Sequence, residues 1–228
     1  MCTRWIAGLD PAFSSDPFGL AIVGRDLDGS GRLRLGWAGA WKPSRRKPDT
    51  FEERRELEDR VLAEVAALCR RYLARVVSDQ FCAPQIVDRL RRQGLSVQPL
   101  PMTATTKTQA FTELRARLYT HELELYDAPG LVAELRRLRT RHTIGAASVV
   151  NPRVGGSHGD IAQALALAVY EHDRWGIARG TPGVQRSGEP AVFRLDELDR
   201  VFVSRRNSDP TRRPKWYDRE SSIARKVF

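Results

Sequence analysis

The stretch RWIAGLDPAFSSDPFGLAIVGR, residues 4–25, decides the fold. It holds two apolar runs, Arg4 to Asp10 and Gly19 to Arg25, separated by a loop rich in turn-forming Pro, Ser and Asp. Each run is short, carries few charges and is bounded by turn residues, which predicts two consecutive strands. A third extended run follows at once, Arg32 to Trp41, in which Leu33, Leu35 and Trp37 alternate with polar or small neighbours. Three strands in succession with short links predict an antiparallel meander.

Beyond the meander the period changes from two to about 3.6 residues. Thr50 and Glu53 stand as a capping box, and Leu57, Val61, Val65, Leu68 and Tyr72 follow at helical spacing. Arg75 to Ser78 is a compact strand ending at Asp79, Pro84 to Arg92 a helix stopped near Gly94, and Ser96 to Leu100 another extended segment. Thr106 and Gln109 predict the cap of a helix bearing Phe111, Leu114 and Leu118; Glu122 to Tyr126 reads as a strand and Leu131 to Arg139 as a helix. Ala146 to Val150 is a loop or short strand, after which Asp160 opens IAQALALAVYEH, a helix apolar nearly all round and therefore buried. The expected class is α/β: a mixed sheet in βββαβαβα order flanked by helices. It occupies residues 1–175, and residues 176–228 form a basic, partly irregular C-terminal extension.

The chain has 228 residues, with 38 Lys and Arg against 28 Asp and Glu, a net charge of +10. Such an excess, mostly arginine, suits a polyanion, because neutralising phosphates releases condensed counterions and the guanidinium forks onto phosphate oxygens. The plain alternative is a solvated basic surface. Three cysteines, Cys2, Cys69 and Cys82, are odd in number and lack metal-ligand spacing, so neither a disulfide framework nor a zinc site is expected and a reducing cytoplasm fits. No apolar run is long enough to span a bilayer, and the apolar start is too short for a signal peptide.

The chemistry-bearing residues are aspartates. Asp10 and Asp79 directly follow apolar strands, and Asp160 opens the buried helix. Carboxylates at the carboxyl ends of neighbouring strands project into the crevice where open α/β sheets place their sites. Brought together they repel one another unless a cation sits among them, and hard Mg²⁺ or Mn²⁺ takes such oxygen ligands. Two such ions activate a water and stabilise the leaving oxygen of a phosphodiester. Taken singly, each aspartate reads equally well as a turn former or helix cap. Asp16 is an accessory ligand or an Asx-turn before Pro17.

The segments GLDPAFSSDPFGLAIV, VVSDQF and SHGDIAQALALAVY, in this order, resemble the nuclease domain of tailed-phage large terminases, over roughly residues 4–174. The resemblance implies a ribonuclease H-like fold using two Mg²⁺ or Mn²⁺ ions, with Asp10 bridging both and Asp79 and Asp160 each completing one. It implies cleavage of concatemeric viral DNA during genome packaging in the host cytoplasm, beside an ATPase motor domain or subunit, a small terminase and a portal. Gly159 stands where the family carries an acid and Gln163 where a later Asp is frequent, so the second ion has fewer ligands. No GxxxxGK[ST] loop occurs, so the motor is not in this chain.

Lys107, near a helix start after TATT, is a candidate for holding a DNA phosphate, and so are the cluster Arg45, Arg46 and Lys47 and His158, two positions before Asp160. Each has a plain counterpart as an exposed, solvated side chain. The arginines at 136, 137, 139 and 141 share that ambiguity, and Trp37 and Trp41 are expected to pack the sheet. Two rivals stand beside the terminase reading. One is another ribonuclease H-like nuclease such as a Holliday-junction resolvase, and the other a non-catalytic DNA-binding packaging module.

Overall fold

The computed structural model describes residues 2–11, 17–42, 50–79, 84–143, 146–150 and 159–177. The meander is present as β1 (Cys2–Asp10), β2 (Phe18–Asp26) and β3 (Leu33–Trp41), each antiparallel to the next. Then follow α1 (Phe51–Arg71), β4 (Arg75–Asp79), α2 (Pro84–Arg92), β5 (Val97–Leu100), α3 (Ala104–Tyr119), β6 (Leu123–Glu124) and α4 (Leu131–Arg137). A hairpin of β7 (Arg139–Thr143) and β8 (Ala146–Val150) precedes α5 (Asp160–Ile177). The main sheet runs β5-β4-β1-β2-β3-β6, with β4 parallel to both β1 and β5 and β6 parallel to β3. It is the expected mixed sheet.

Period-two alternation gives this sheet two apolar faces. Ile6, Ala21, Val23 and Val77 face a core shared with α3, α4 and α5; Ala7, Leu9, Leu20, Ile22 and Val76 face one shared with α1 and α2. Trp37 stacks on Trp41 at 5.4 Å within the second core, and the Trp41 indole donates to Glu64 of α1 at 2.6 Å. Arg89 of α2 pairs with Glu58 and Asp59 of α1 at 2.7 and 2.6 Å, which joins the two helices on that face.

Three local expectations shift. The α3 cap is Thr103, whose hydroxyl accepts from the Thr106 N–H at 3.1 Å, so the helix begins a turn earlier than Thr106 and Gln109 suggested. The threonine run thus lies inside α3, and Lys107 makes its first-turn bond to the Thr103 carbonyl at 2.8 Å. The helix read through Arg139 stops at Arg137, and Arg139 enters β7 with its Nη1 donating to the Arg136 and Leu138 carbonyls at 2.9 and 3.1 Å. It closes the end of α4, a use of cationic side chains at helix C-termini that composition alone does not reveal. The strand expected at Glu122 to Tyr126 is only Leu123–Glu124.

Helix α5 runs to Ile177, two residues past the boundary expected at 175. Everything after 177, with most of the expected basic extension, lies outside the described residues. No described helix is long and apolar enough to cross a membrane.

Candidate functional site

The pairing of β1 with β4 sets two of the three aspartates. Leu9 lies opposite Ser78 in a parallel register, so the next residues, Asp10 and Asp79, end adjacent strands side by side. Alternation sends both side chains to the α5 face. Asp10 shares that face with Ile6, and Asp79 shares it with Val77.

Helix α5 delivers the third. Asp160, Ala164 and Ala168 recur every four residues and so line one face of the helix. That face lies directly on the backbone of two strand glycines. A Cβ on Gly19 would collide with the Asp160 carbonyl, and one on Gly8 with the Ala164 carbonyl and, at 2.9 Å, the Ala168 nitrogen. Gly19 is the ladder partner of Asp10, so seating Asp160 on Gly19 brings it to the carboxyl end of β1. Glycine inside a strand marks the close approach of another backbone, a signal available in the sequence and not used there.

Asp10 feels the charge of both other aspartates. Burial pushes the Asp10 carboxyl from its ordinary value near 3.8 up to about 7, and the charges of Asp160 and Asp79 push the same way. Lys107 and a hydrogen bond from Gln163 act against them. That bond runs from the Gln163 amide nitrogen to Asp10 Oδ1 at 3.3 Å. Lys107 therefore stands within reach of the cluster's field, from the first turn of α3.

Two features of the α5 start were not foreseen. Gly159 has φ +80°, a left-handed conformation that favours glycine, and its carbonyl accepts from the Gln163 N–H at 2.8 Å. Glu134 of α4, only 6% exposed, accepts from the Ala162 N–H at 2.9 Å. A lone glutamate in an amphipathic segment carries no sequence signal for such a contact.

The donor set suits a hard cation. Among the described residues no group of three or more His, Cys, Asp and Glu side chains is arranged to hold a metal ion. The aspartates feel one another's charge without enclosing a common point. Mg²⁺ keeps several waters and binds through one or two carboxylates together with substrate phosphates, so a closed protein cage is not required of it. Crowded carboxylates are hard oxygen donors and fit Mg²⁺ or Mn²⁺ better than a softer metal. Asp16, Arg45, Arg46, Lys47 and His158 lie outside the described residues.

Compared with known proteins, no family model matches this sequence and no curated protein matches it. Solved structures do. The large terminase nuclease from thermophilic phage G20c superposes with a TM-score of 0.55 at 23% identity, over 72% of this chain and 80% of that one. The fold is that of a large-terminase nuclease. The nuclease domain of the Thermus phage P74-26 large terminase gives 0.54 at 23% identity, over 72% of this chain and 77% of its own. The HK97 large terminase gives 0.59 at 17% identity, over 75% of this chain and 40% of its own. The fold is ribonuclease H-like, as the resemblance implied, and the G20c nuclease has been solved with bound magnesium and with bound cobalt.

Proposed function

We propose that this chain is a divalent-metal-dependent DNA endonuclease, the nuclease part of a large terminase, cutting concatemeric viral DNA into genome lengths. The observation that carries it is the convergence of Asp160 and Asp79 on a half-buried Asp10 at the carboxyl ends of adjacent parallel strands. Structural carboxylates are paired with cations or dispersed; three gathered so that one is held partly protonated at neutral pH are arranged for something to be bound.

Asp10, Asp79 and Asp160 would hold Mg²⁺ or Mn²⁺, two ions where ligands suffice, and such an ion when bound polarises the phosphodiester and yields a water nucleophile near neutral pH. The protein's own groups orient the rest. Gln163 fixes one oxygen of Asp10, which leaves the other directed by the strand end. Lys107, one turn into α3, offers its ammonium to a backbone phosphate at the edge of the cluster, where the helix start favours anions as well. Arg45, Arg46, Lys47 and His158 extend the DNA contact, and Asp16 is an accessory ligand. The magnesium and cobalt forms of the G20c nuclease support the choice of metal. The motor, small terminase and portal are the partners such a nuclease would serve.

Plasmid cleavage tests this. Pure protein with Mg²⁺ or Mn²⁺ nicks and linearises supercoiled DNA, EDTA abolishes cleavage, and Asp79→Asn lowers the rate at least about 100-fold. Cleavage that persists in EDTA, or that Asp79→Asn leaves unchanged, contradicts it. Strong preference for a four-way junction over the plasmid would move the assignment to a resolvase. Salt-sensitive binding without any cleavage would make it a packaging module.

A further inference from the structure

The start of α5 presents a problem that Glu134 solves. The helix opens Gly159-Asp160-Ile161-Ala162, and the first N–H groups of any helix lack intrahelical acceptors. A side-chain oxygen on the N-cap residue ordinarily satisfies the N–H of the second or third helical residue. The N-cap of α5 is Gly159, which has no side chain, and Asp160 follows it as the first helical residue. The Ala162 N–H instead donates to Glu134, which reaches across from α4 and is separated from it by 28 positions in the chain.

Glu134 lies among Leu131, Leu135 and Ile161, all buried. Putting a carboxylate there is costly, and a leucine would pack the gap between α4 and α5 without that cost. What a leucine lacks is an acceptor. Resting on the metal-nuclease reading above, we infer that Glu134 is a positioning residue. It takes the backbone donor that Gly159, lacking a side chain, cannot cap, and so fixes the turn from which Asp160 is presented to Asp10 and the metal. The same bond fixes the turn that carries Gln163, whose side chain holds Asp10. The turn that carries Asp160 and leads into Gln163 is therefore anchored by α4.

The test uses the full chain and three proteins: wild type, Glu134→Ala and Glu134→Gln. Amide hydrogen exchange over residues 160–164 reads the anchor itself and needs no metal. Exchange there rises at least about tenfold in Glu134→Ala and stays near wild type in Glu134→Gln, whose amide oxygen still accepts from Ala162. Mn²⁺ affinity by electron paramagnetic resonance reads the consequence: it weakens roughly 10- to 100-fold in Glu134→Ala, well below its melting temperature, and Glu134→Gln restores most of it. In cleavage the loss falls on kcat, with KM for DNA within about twofold of wild type.

Three results overturn the inference. One is unchanged exchange at residues 160–164 in Glu134→Ala. Another is wild-type Mn²⁺ affinity in that variant while folded, which leaves a purely structural cap. The third is a Glu134→Gln variant as impaired as Glu134→Ala, which makes the charge and not the acceptor the working feature. A wild type that neither binds Mn²⁺ nor cuts DNA refutes the nuclease reading and, with it, the metal-directed role of Glu134. The exchange data then still decide whether Glu134 anchors α5.

Discussion

Asp10 sits half-buried at the end of β1, where desolvation first and then the charges of Asp160 and Asp79 raise its pKa from near 3.8 to about 7. The unfolded chain releases this proton near 3.8, whereas the folded chain keeps it until about 7, so the folded state binds more protons across that window. Stability contributed by the retained proton is complete below pH 4 and is lost as the pH rises through 7. Asp10→Asn removes the charge and its repulsion. In metal-free buffer at pH 8 that variant should melt several degrees above wild type, by about 1–3 kcal/mol, and the difference should shrink toward pH 5. Thermal melts of both proteins at the two pH values check it; a variant no more stable than wild type at pH 8 contradicts the crowding. Cys69 is a second ionisable group shifted by burial, which pushes its thiol up to about 12 against the lowering charge of Arg70 and leaves it a neutral core residue.

Helix α5 brings the third aspartate, and its approach depends on what the strands lack. Because a Cβ on Gly19 would meet the Asp160 backbone, Gly19→Ala must lift the first turn of α5 from β2. The expected cost is about 1–3 kcal/mol in stability, with Mn²⁺ affinity falling by roughly tenfold or more. Melting curves and a Mn²⁺ titration measure both, and a variant with wild-type affinity contradicts the close seating. Much of this was legible beforehand. The apolar runs ending in Asp10 and Asp79, and the all-round apolarity of residues 161–169, specify two strand ends and a buried helix by period alone. Hairpin β7–β8 was half missed, because Arg136 to Arg141 carries no alternation and the capping role of Arg139 depends on where the α4 carbonyls lie. The α3 start was misplaced because several threonines in TATT can each cap, and only the backbone geometry at Thr103 selects one. The Glu134 contact is invisible to any periodic pattern, since it joins residues 28 positions apart.

For the whole protein, the net charge of +10 and the acidic cluster make opposite electrostatic contributions. On the proposed reading, a basic exterior would draw in DNA, and the half-buried carboxylates would repel its phosphates until cations are present. Duplex binding in EDTA should therefore be salt-dependent, weakening about tenfold or more between 50 and 200 mM NaCl. Asp10→Asn, which removes one repelling charge, should bind DNA at least as tightly as wild type while failing to cut it. Fluorescence anisotropy with a labelled duplex reads both effects; salt-independent binding contradicts a phosphate-driven interface. The terminase-nuclease fold supplies the scaffold for this division, with the cluster at the strand ends and α3 bringing Lys107 alongside. The most direct measurement is an anomalous difference map from crystals of the full chain soaked in MnCl₂. A peak roughly 2.0–2.3 Å from an Asp10 carboxylate oxygen, and absent from Asp10→Asn crystals, is the expected result. A map with no peak touching Asp10, Asp79 or Asp160, or one whose peak survives Asp10→Asn, would contradict a metal centre built on these three residues.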